Sequence, residues 1–221
     1  MASSEPAAAK PPIVILTLNK PDVFNDIFEG FVDELSAKAE VRQAHTRQEA
    51  RAAFTSDPKP TAILSADEGL TFTMRFLLVH RALSYVRAGG ILIFMGLLSS
   101  CSRPSDIKNS FTRLDLPWQS GAYERSTFKL NREMTHFDTS GLVKSYSQKA
   151  LHLANITLDD AVHLATDDSV IESIVFGPRR VTDRTQTPAA FTKVGEGRVG
   201  YVGDVNNENA TTPLILALCG L

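Results

Sequence analysis

Two hydrophobic rhythms alternate along the first hundred residues of this chain. "IVILTL" (Ile13 to Leu18) is a continuous apolar run rich in β-branched residues, the pattern of a strand buried on both faces. "NKPD" breaks it. Val23, Phe24, Ile27, Phe28, Phe31, Val32 and Leu35 then recur at helical spacing, which predicts an amphipathic helix over about Asp22 to Ala39. "VRQAH" reads as a second strand, "RQEARAAF" as a short helix and "TAILSA" as a third strand. A largely apolar helix follows from about Phe72 to Arg87, closed by Gly89 and Gly90, and "ILIFMG" is the fourth strand. Strand and helix alternating through short connections predict a parallel sheet with helices on both faces. Right-handed crossovers would then gather "LNKPD", "SADEGLT" and "GLLSSCSRP" at one edge, where such sheets bind ligands.

The regularity lapses after residue 101. The stretch of about 102–141 contains a short helix, turn residues and the alternating segment "STFKLN". Its length marks it as an insertion, of the kind that forms functional loops or interfaces beside a ligand edge. Pattern returns with "KALHLAN" and "ESIVFG", followed by a hairpin of "AAFTKV", the turn "GEG" and "RVGYVGDV". A last helix is predicted with Thr212 as its N-cap and Pro213 at its first position. The expected fold class is therefore α/β: a three-layer α/β/α sandwich, mainly parallel, with a C-terminal antiparallel hairpin. It would form a single domain over 12–221, preceded by a disordered tail over 1–11.

Composition narrows the function classes. A chain of 221 residues, 43% hydrophobic and 22% charged, can bury the core of one such domain. The net charge of −2, with Lys and Arg spread along the chain, offers no footprint for nucleic acid and no basic patch for a membrane surface. The start lacks the basic and apolar regions of a secretory signal, and the longest apolar runs fall far short of the roughly 20 residues that span a bilayer. Cys101 and Cys219 are the only cysteines, without CxxC spacing, which points to a reducing, cytoplasmic setting. "GEG" joins two strands instead of opening a helix, so it fails as a dinucleotide fingerprint. No cofactor and no metal is assigned. The partner expected is a small-molecule substrate or ligand.

The segment "VGEGRVGYVGDVNNEN", a hairpin with a Gly-x-Gly-Arg turn whose second strand ends in a polar cluster before the last helix, resembles the class I glutamine amidotransferase-like superfamily. The likeness is to its trehalose-utilisation-type branch, and the four leading βα units agree with it in order and length. "LPWQSGAYERSTFKLN" and "ILALCGL" are similar to uncharacterised fungal members. The resemblance implies a flavodoxin-like sheet. It also implies a strand-to-helix elbow at "MGLLSSC", where active amidotransferases carry Gly-x-Cys-x-Gly. Here Leu98 falls in the nucleophile's slot, and no His-x-Glu pair occurs in the sequence. Glutamine hydrolysis by a Cys-His-Glu triad is not expected.

Other chemistry is carried by a few residues. Ser99 or Ser100, with Cys101 beside them, suits either an acyl-accepting nucleophile or a strand-ending turn. Asp67 and Glu68 suit a general base, a metal ligand or a sugar-hydroxyl acceptor, or simply the first turn of the next helix. His136, with Asp138 two residues on, is the histidine placed to fold over the edge as a base; His80 and His163 read as a packing residue and a solvated loop residue. Asp204, Asn206 and Glu208 suit pocket lining, an oxygen-ligand cation site or a capping turn. Trp118 and Arg125, with Tyr123 and Lys129, suit a lid or a homodimer interface. Two functions follow: a hydrolase or transferase for an ester, amide or sugar-like substrate, or a non-catalytic ligand-binding or dimerisation module that has lost the triad.

Overall fold

The apolar runs become the centre of a six-stranded sheet. The computed structural model describes residues 9–173 and 175–221. Most of the expected tail (residues 1–8) and Ile174 of "ESIVFG" lie outside the described residues. The leading units are β1 (Pro12–Leu16), α1 (Pro21–Lys38), β2 (Glu40–Ala44), α2 (Arg47–Thr55), β3 (Ala62–Ser65), α3 (Phe76–Arg87) and β4 (Ile91–Phe94). Two short helices follow, α4 (Leu98–Cys101) and α5 (Pro104–Arg113). A second group of strands comprises β5 (Gln119–Leu130), β6 (Ser145–Ala154), β7 (His163–Leu164), β8 (Val170–Glu172) and β9 (Arg179–Arg180). The hairpin of β10 (Ala189–Val194) and β11 (Gly197–Val202) and the helix α6 (Thr211–Leu218) complete the chain.

The first sheet runs β10-β11-β4-β3-β1-β2, with every neighbouring pair parallel except β10 against β11. The fold is α/β, with a mostly parallel, flavodoxin-like sheet and the predicted C-terminal hairpin. Strand periodicity explains the layers. In β1, Val14 and Leu16 face a core with Phe54 of α2, Val79 of α3 and Phe111 of α5. Ile13 and Ile15 face the opposite core, with Phe24, Phe28 and Phe31 of α1 and Ile215 of α6. Continuous apolar strands are what two covered faces require.

Several local expectations change. Val23 and Ile27 of the α1 stripe are about half exposed, because the helix buries only the narrower arc of Phe24, Phe28, Phe31 and Leu35. The segment before α3 coils into two short 3₁₀ turns, Glu68–Thr71 and Thr73–Arg75. α6 begins at Thr211, earlier than expected, so the N-cap is Ala210, whose side chain has no acceptor, and Thr212 lies inside the helix. His80 is exposed and His163 is buried, the reverse of the sequence reading.

The largest difference is the second sheet, β6-β5-β8-β9 with β7 on β5. It extends to residue 180, well past the predicted end of the insertion near 141. Most of β5 is intermediate in exposure on both faces, so the alternation that marks a half-buried strand is visible only at its end. Isolated bridges Ala150↔Asp204, Leu153↔Thr187 and Ala161↔Ala190 join this sheet's region to the hairpin side of the first. Leu153 and Trp118 belong to one shared core and Leu130 and Val162 to the other.

Candidate functional site

The carboxyl edge of the first sheet does gather the loops after β1, β3 and β4. Asp67, which is 1% exposed, holds two of them together. Its Oδ2 accepts the backbone N–H of Asn19 at 2.6 Å and of Lys20 at 2.8 Å, while Oδ1 accepts that of Gly69 at 2.8 Å. Three charge-assisted bonds leave this carboxylate fixed as a brace between loops. Arg75 braces the same place, donating to the carbonyls of Gly69 and Leu18.

Glu68 differs from its neighbour. It is 4% exposed, and its Oε1 accepts the Asn19 amide at 2.6 Å. Its Oε2 is buried without a hydrogen-bond partner. A carboxylate oxygen in that state carries a desolvation cost that a donor from a ligand or water would relieve.

The elbow after β4 is made by Gly96, with φ of +65°. A Cβ there would lie 2.8 Å from the Ala66 carbonyl oxygen, and left-handed backbone already disfavours any other residue. The residue that occupies the strained turn therefore bears no side chain. Leu98, expected in the nucleophile's slot, is turned into the core instead.

Among the described residues, the side chains of Ser99, Ser100 and Cys101 make no hydrogen bond to a histidine or a carboxylate. Ser99 Oγ lies 3.0 Å from the Tyr201 hydroxyl, which itself donates to the Leu151 carbonyl at 2.8 Å. Ser99 is thus a buried link between α4, β11 and β6. Ser100 is exposed. Burial raises the Cys101 thiol pKa, and the nearby Glu68 and Asp67 carboxylates raise it further against the opposing effect of Lys20. That is the opposite of the environment a reactive thiolate needs.

The remaining predicted residues fall into other places. Asp204 is buried, with Oδ1 accepting Asn206 N–H at 2.9 Å and Oδ2 accepting Glu208 N–H at 2.7 Å and the Thr211 hydroxyl. It organises the turn into α6. Glu208 pairs with Arg125, and Asn206 donates to the same Glu208 oxygen, so three predicted binding residues bind one another. Trp118 is not a lid: it is 1% exposed and packs edge-on against Phe111 at 5.2 Å. His136 stands 3.9 Å from Asp160. It lines a groove of about 720 Å³ with Ile91 and Arg198, which open β4 and β11, so it lies at the opposite end of the sheet from Glu68.

A polar interior within the second sheet was not legible in the sequence. Tyr146, Gln148 and His152 occupy alternate positions of β6 and share one face. The Tyr146 hydroxyl, both Gln148 amide atoms, His152 Nε2 and His163 Nδ1 are buried without partners. Tyr146 and His163 meet edge to face at 5.3 Å. Burial lowers both histidine pKa values to about 4, so they are neutral at pH 7. The alternation "SYSQKALHLA" was the available signal, but only the fold shows that its polar face points inward. Among the described residues, no group of three His, Cys, Asp or Glu side chains is placed to hold a metal ion. No helix among them is long and apolar enough to cross a membrane.

No protein-family model matches this chain, and no curated protein matches it either. Solved structures do. A ThuA-like protein from Bacteroides uniformis superimposes with a TM-score of 0.60 at 10% identity, over 99% of this chain and 94% of its own. The chain shares the fold of the ThuA-like proteins. A second, from Parabacteroides merdae, gives 0.55 at 13% identity over 96% and 89%. A β-galactosidase from Bacillus circulans gives 0.55 at 14% identity over 96% of this chain, which corresponds to 31% of the galactosidase.

Proposed function

We propose that this protein is a small-molecule-binding member of the amidotransferase-like fold that works at Glu68 without an acyl-enzyme intermediate. The observation that carries the reading is the Glu68 carboxylate, one oxygen fixed by Asn19 and the other buried without a donor. A ligand hydroxyl or amine supplies the missing hydrogen bond, and the buried setting strengthens it. A neutral, hydroxyl-rich, sugar-like ligand is the class we favour. The ThuA-like neighbours, whose name denotes trehalose utilisation, and the matched part of a β-galactosidase support that choice.

The competing reading is a hydrolase or transferase for an ester, amide or sugar-like substrate. The same carboxylate favours it, as a general base held at a fixed orientation. Covalent catalysis at the elbow lacks support: Leu98 in the nucleophile's slot is apolar and buried, Ser99 is bonded to Tyr201 and Cys101 is held protonated by its surroundings.

Two measurements test this together. Isothermal titration with mono- and disaccharides should give saturable binding, weakened by at least about tenfold in Glu68→Gln, with circular dichroism unchanged. Absence of binding, or equal binding by the variant, would sink the proposal. Intact mass after a fluorophosphonate and iodoacetamide should show no rapid adduct on Ser99, Ser100 or Cys101. A single fast adduct lost in one alanine variant would restore the covalent enzyme reading.

A further inference from the structure

The flank of the first sheet between α2 and α3 carries a charge feature with no counterpart at the carboxyl edge. A groove of about 370 Å³ is lined by Arg47, Arg51, Arg75, His80 and Arg81, with Leu77 on its wall. No acidic residue lines it among the described residues. The chain as a whole is slightly negative, so four guanidinium groups at one groove are a local concentration made by folding.

Each cation is held in place or left open in a way that matters. Arg47 and Arg51 lie one turn apart on α2, on the same face. Arg47 donates through one Nη to the Met74 carbonyl at 3.3 Å, which tethers it at the rim. Arg75 is anchored by its two carbonyl acceptors while its Nε has no partner. The guanidinium groups of Arg51 and Arg81 have no hydrogen-bond or ion-pair partner among the described residues. The acid nearest in sequence, Glu49, is committed to the backbone N–H groups of His45 and Thr46. Asp67 and Glu68 offset part of the positive field of Arg75, and Arg47 repels it.

Like charges gathered with more positive than negative groups beside them are unfavourable unless something anionic joins them. The guanidinium is a planar fork suited to bidentate oxyanion contact and, unlike lysine, stays charged. A carboxylate offers one negative charge and two oxygens, whereas a phosphate monoester carries up to about two charges and three strong acceptor oxygens. The forks of Arg47, Arg51 and Arg81 around so small a volume, with the committed Arg75 adding charge behind them, match adjacent phosphates better than carboxylates. The groove's size is that of a site for a small organic molecule, and Leu77, 64% exposed, offers an apolar wall to its body.

We propose that the α2–α3 groove binds a small organic molecule carrying adjacent phosphate groups. The site is separate from Glu68. Arg75 touches the loops of both regions, through the carbonyls of Leu18 and Gly69.

Inorganic pyrophosphate is the probe, titrated calorimetrically into the full chain at low ionic strength. Citrate, inorganic sulfate and a hexaglutamate peptide serve as comparison ligands. The expected result is saturable pyrophosphate binding that weakens by at least about tenfold in the double variant Arg47→Ala, Arg51→Ala and as salt is added. Arg179→Ala with Arg180→Ala, exposed positions on β9, should leave it unchanged. Arg47 and Arg51 are exposed, so circular dichroism should report a folded variant. The proposal fails if pyrophosphate does not saturate, if the groove variant binds as the wild type does, or if sulfate at equal ionic strength binds equally well. Tighter binding of citrate or hexaglutamate than of pyrophosphate would also overturn it, in favour of a polycarboxylate or an acidic protein segment.

Discussion

The carboxyl edge of the first sheet and the α2–α3 flank lie side by side, yet their charged groups are in opposite states. At the edge, Asp67 is saturated by three backbone donors, and Glu68 alone keeps one oxygen free. On the flank, four arginines face a groove with little to bind except two loops' carbonyls and Met74. The edge is where the fold places ligands in general. The comparison teaches that position in a fold does not show which groups are free to act. What shows it is how much of their hydrogen-bonding capacity the protein has already used.

The largest expected effect breaks the edge. Asp67→Ala removes the acceptor of three backbone N–H groups, that of Gly69 buried and those of Asn19 and Lys20 partly so, and should destabilise the protein by about 3 kcal/mol, read from urea unfolding. A loss below about 1 kcal/mol would mean the carboxylate is not a brace, and that it is available for chemistry after all.

The pH dependence tests whether the polar interior of the second sheet is structural, so that it does not rival either region as a site. His152 and His163 have folded pKa values of about 4, below the ordinary 6.5. The unfolded chain therefore binds more protons between those values. Their contribution is fully present above pH 6.5 and is lost as pH falls towards 4, at up to about 1.4 kcal/mol per pH unit for each histidine. Urea midpoints between pH 7 and 4.5 should fall accordingly, and the slope should shrink in His163→Leu. An unchanged slope in that variant would show that the ring is not held neutral by burial.

Gly96→Ala sharpens the contrast at the elbow. Left-handed backbone and contact with the Ala66 carbonyl should cost about 2 kcal/mol, measured as a lowered melting temperature. A neutral result would show that the turn can relax to carry a side chain and that the left-handed backbone is not required there. The smallest effect belongs to the flank: Arg47→Ala with Arg51→Ala should change stability by no more than about 0.5 kcal/mol. A clear loss of stability would make these arginines structural, and the difference between the two regions would disappear.

Much of the fold was legible in the chain. Apolar runs at Ile13, Ile63 and Ile91 and the Phe24, Phe28, Phe31 spacing each bury one continuous surface, so their periodicity declares the element and its covered face. Asp67 and Glu68 were found by their position after a strand, although nothing in the adjacent letters tells the brace from the free carboxylate. The second sheet was largely hidden because β5 is partly covered on both faces and is paired through contacts distant in sequence. His136 and Trp118 were misplaced for the same reason: an insertion's path is set by what it packs against.

The sequence by itself determined the alternation of strands and helices, the parallel sheet and the convergence of three loops at its edge, because local periodicity and short connections leave few alternatives. Only the tertiary structure decided which polar groups have partners. It bonded Ser99 to Tyr201, saturated Asp67, buried Glu68 Oε2 without a partner and brought arginines spread over 35 positions, from Arg47 to Arg81, to one groove. Hydrogen bonds and fields depend on distances of a few ångströms between residues far apart in the chain, and those distances exist only once the core has closed.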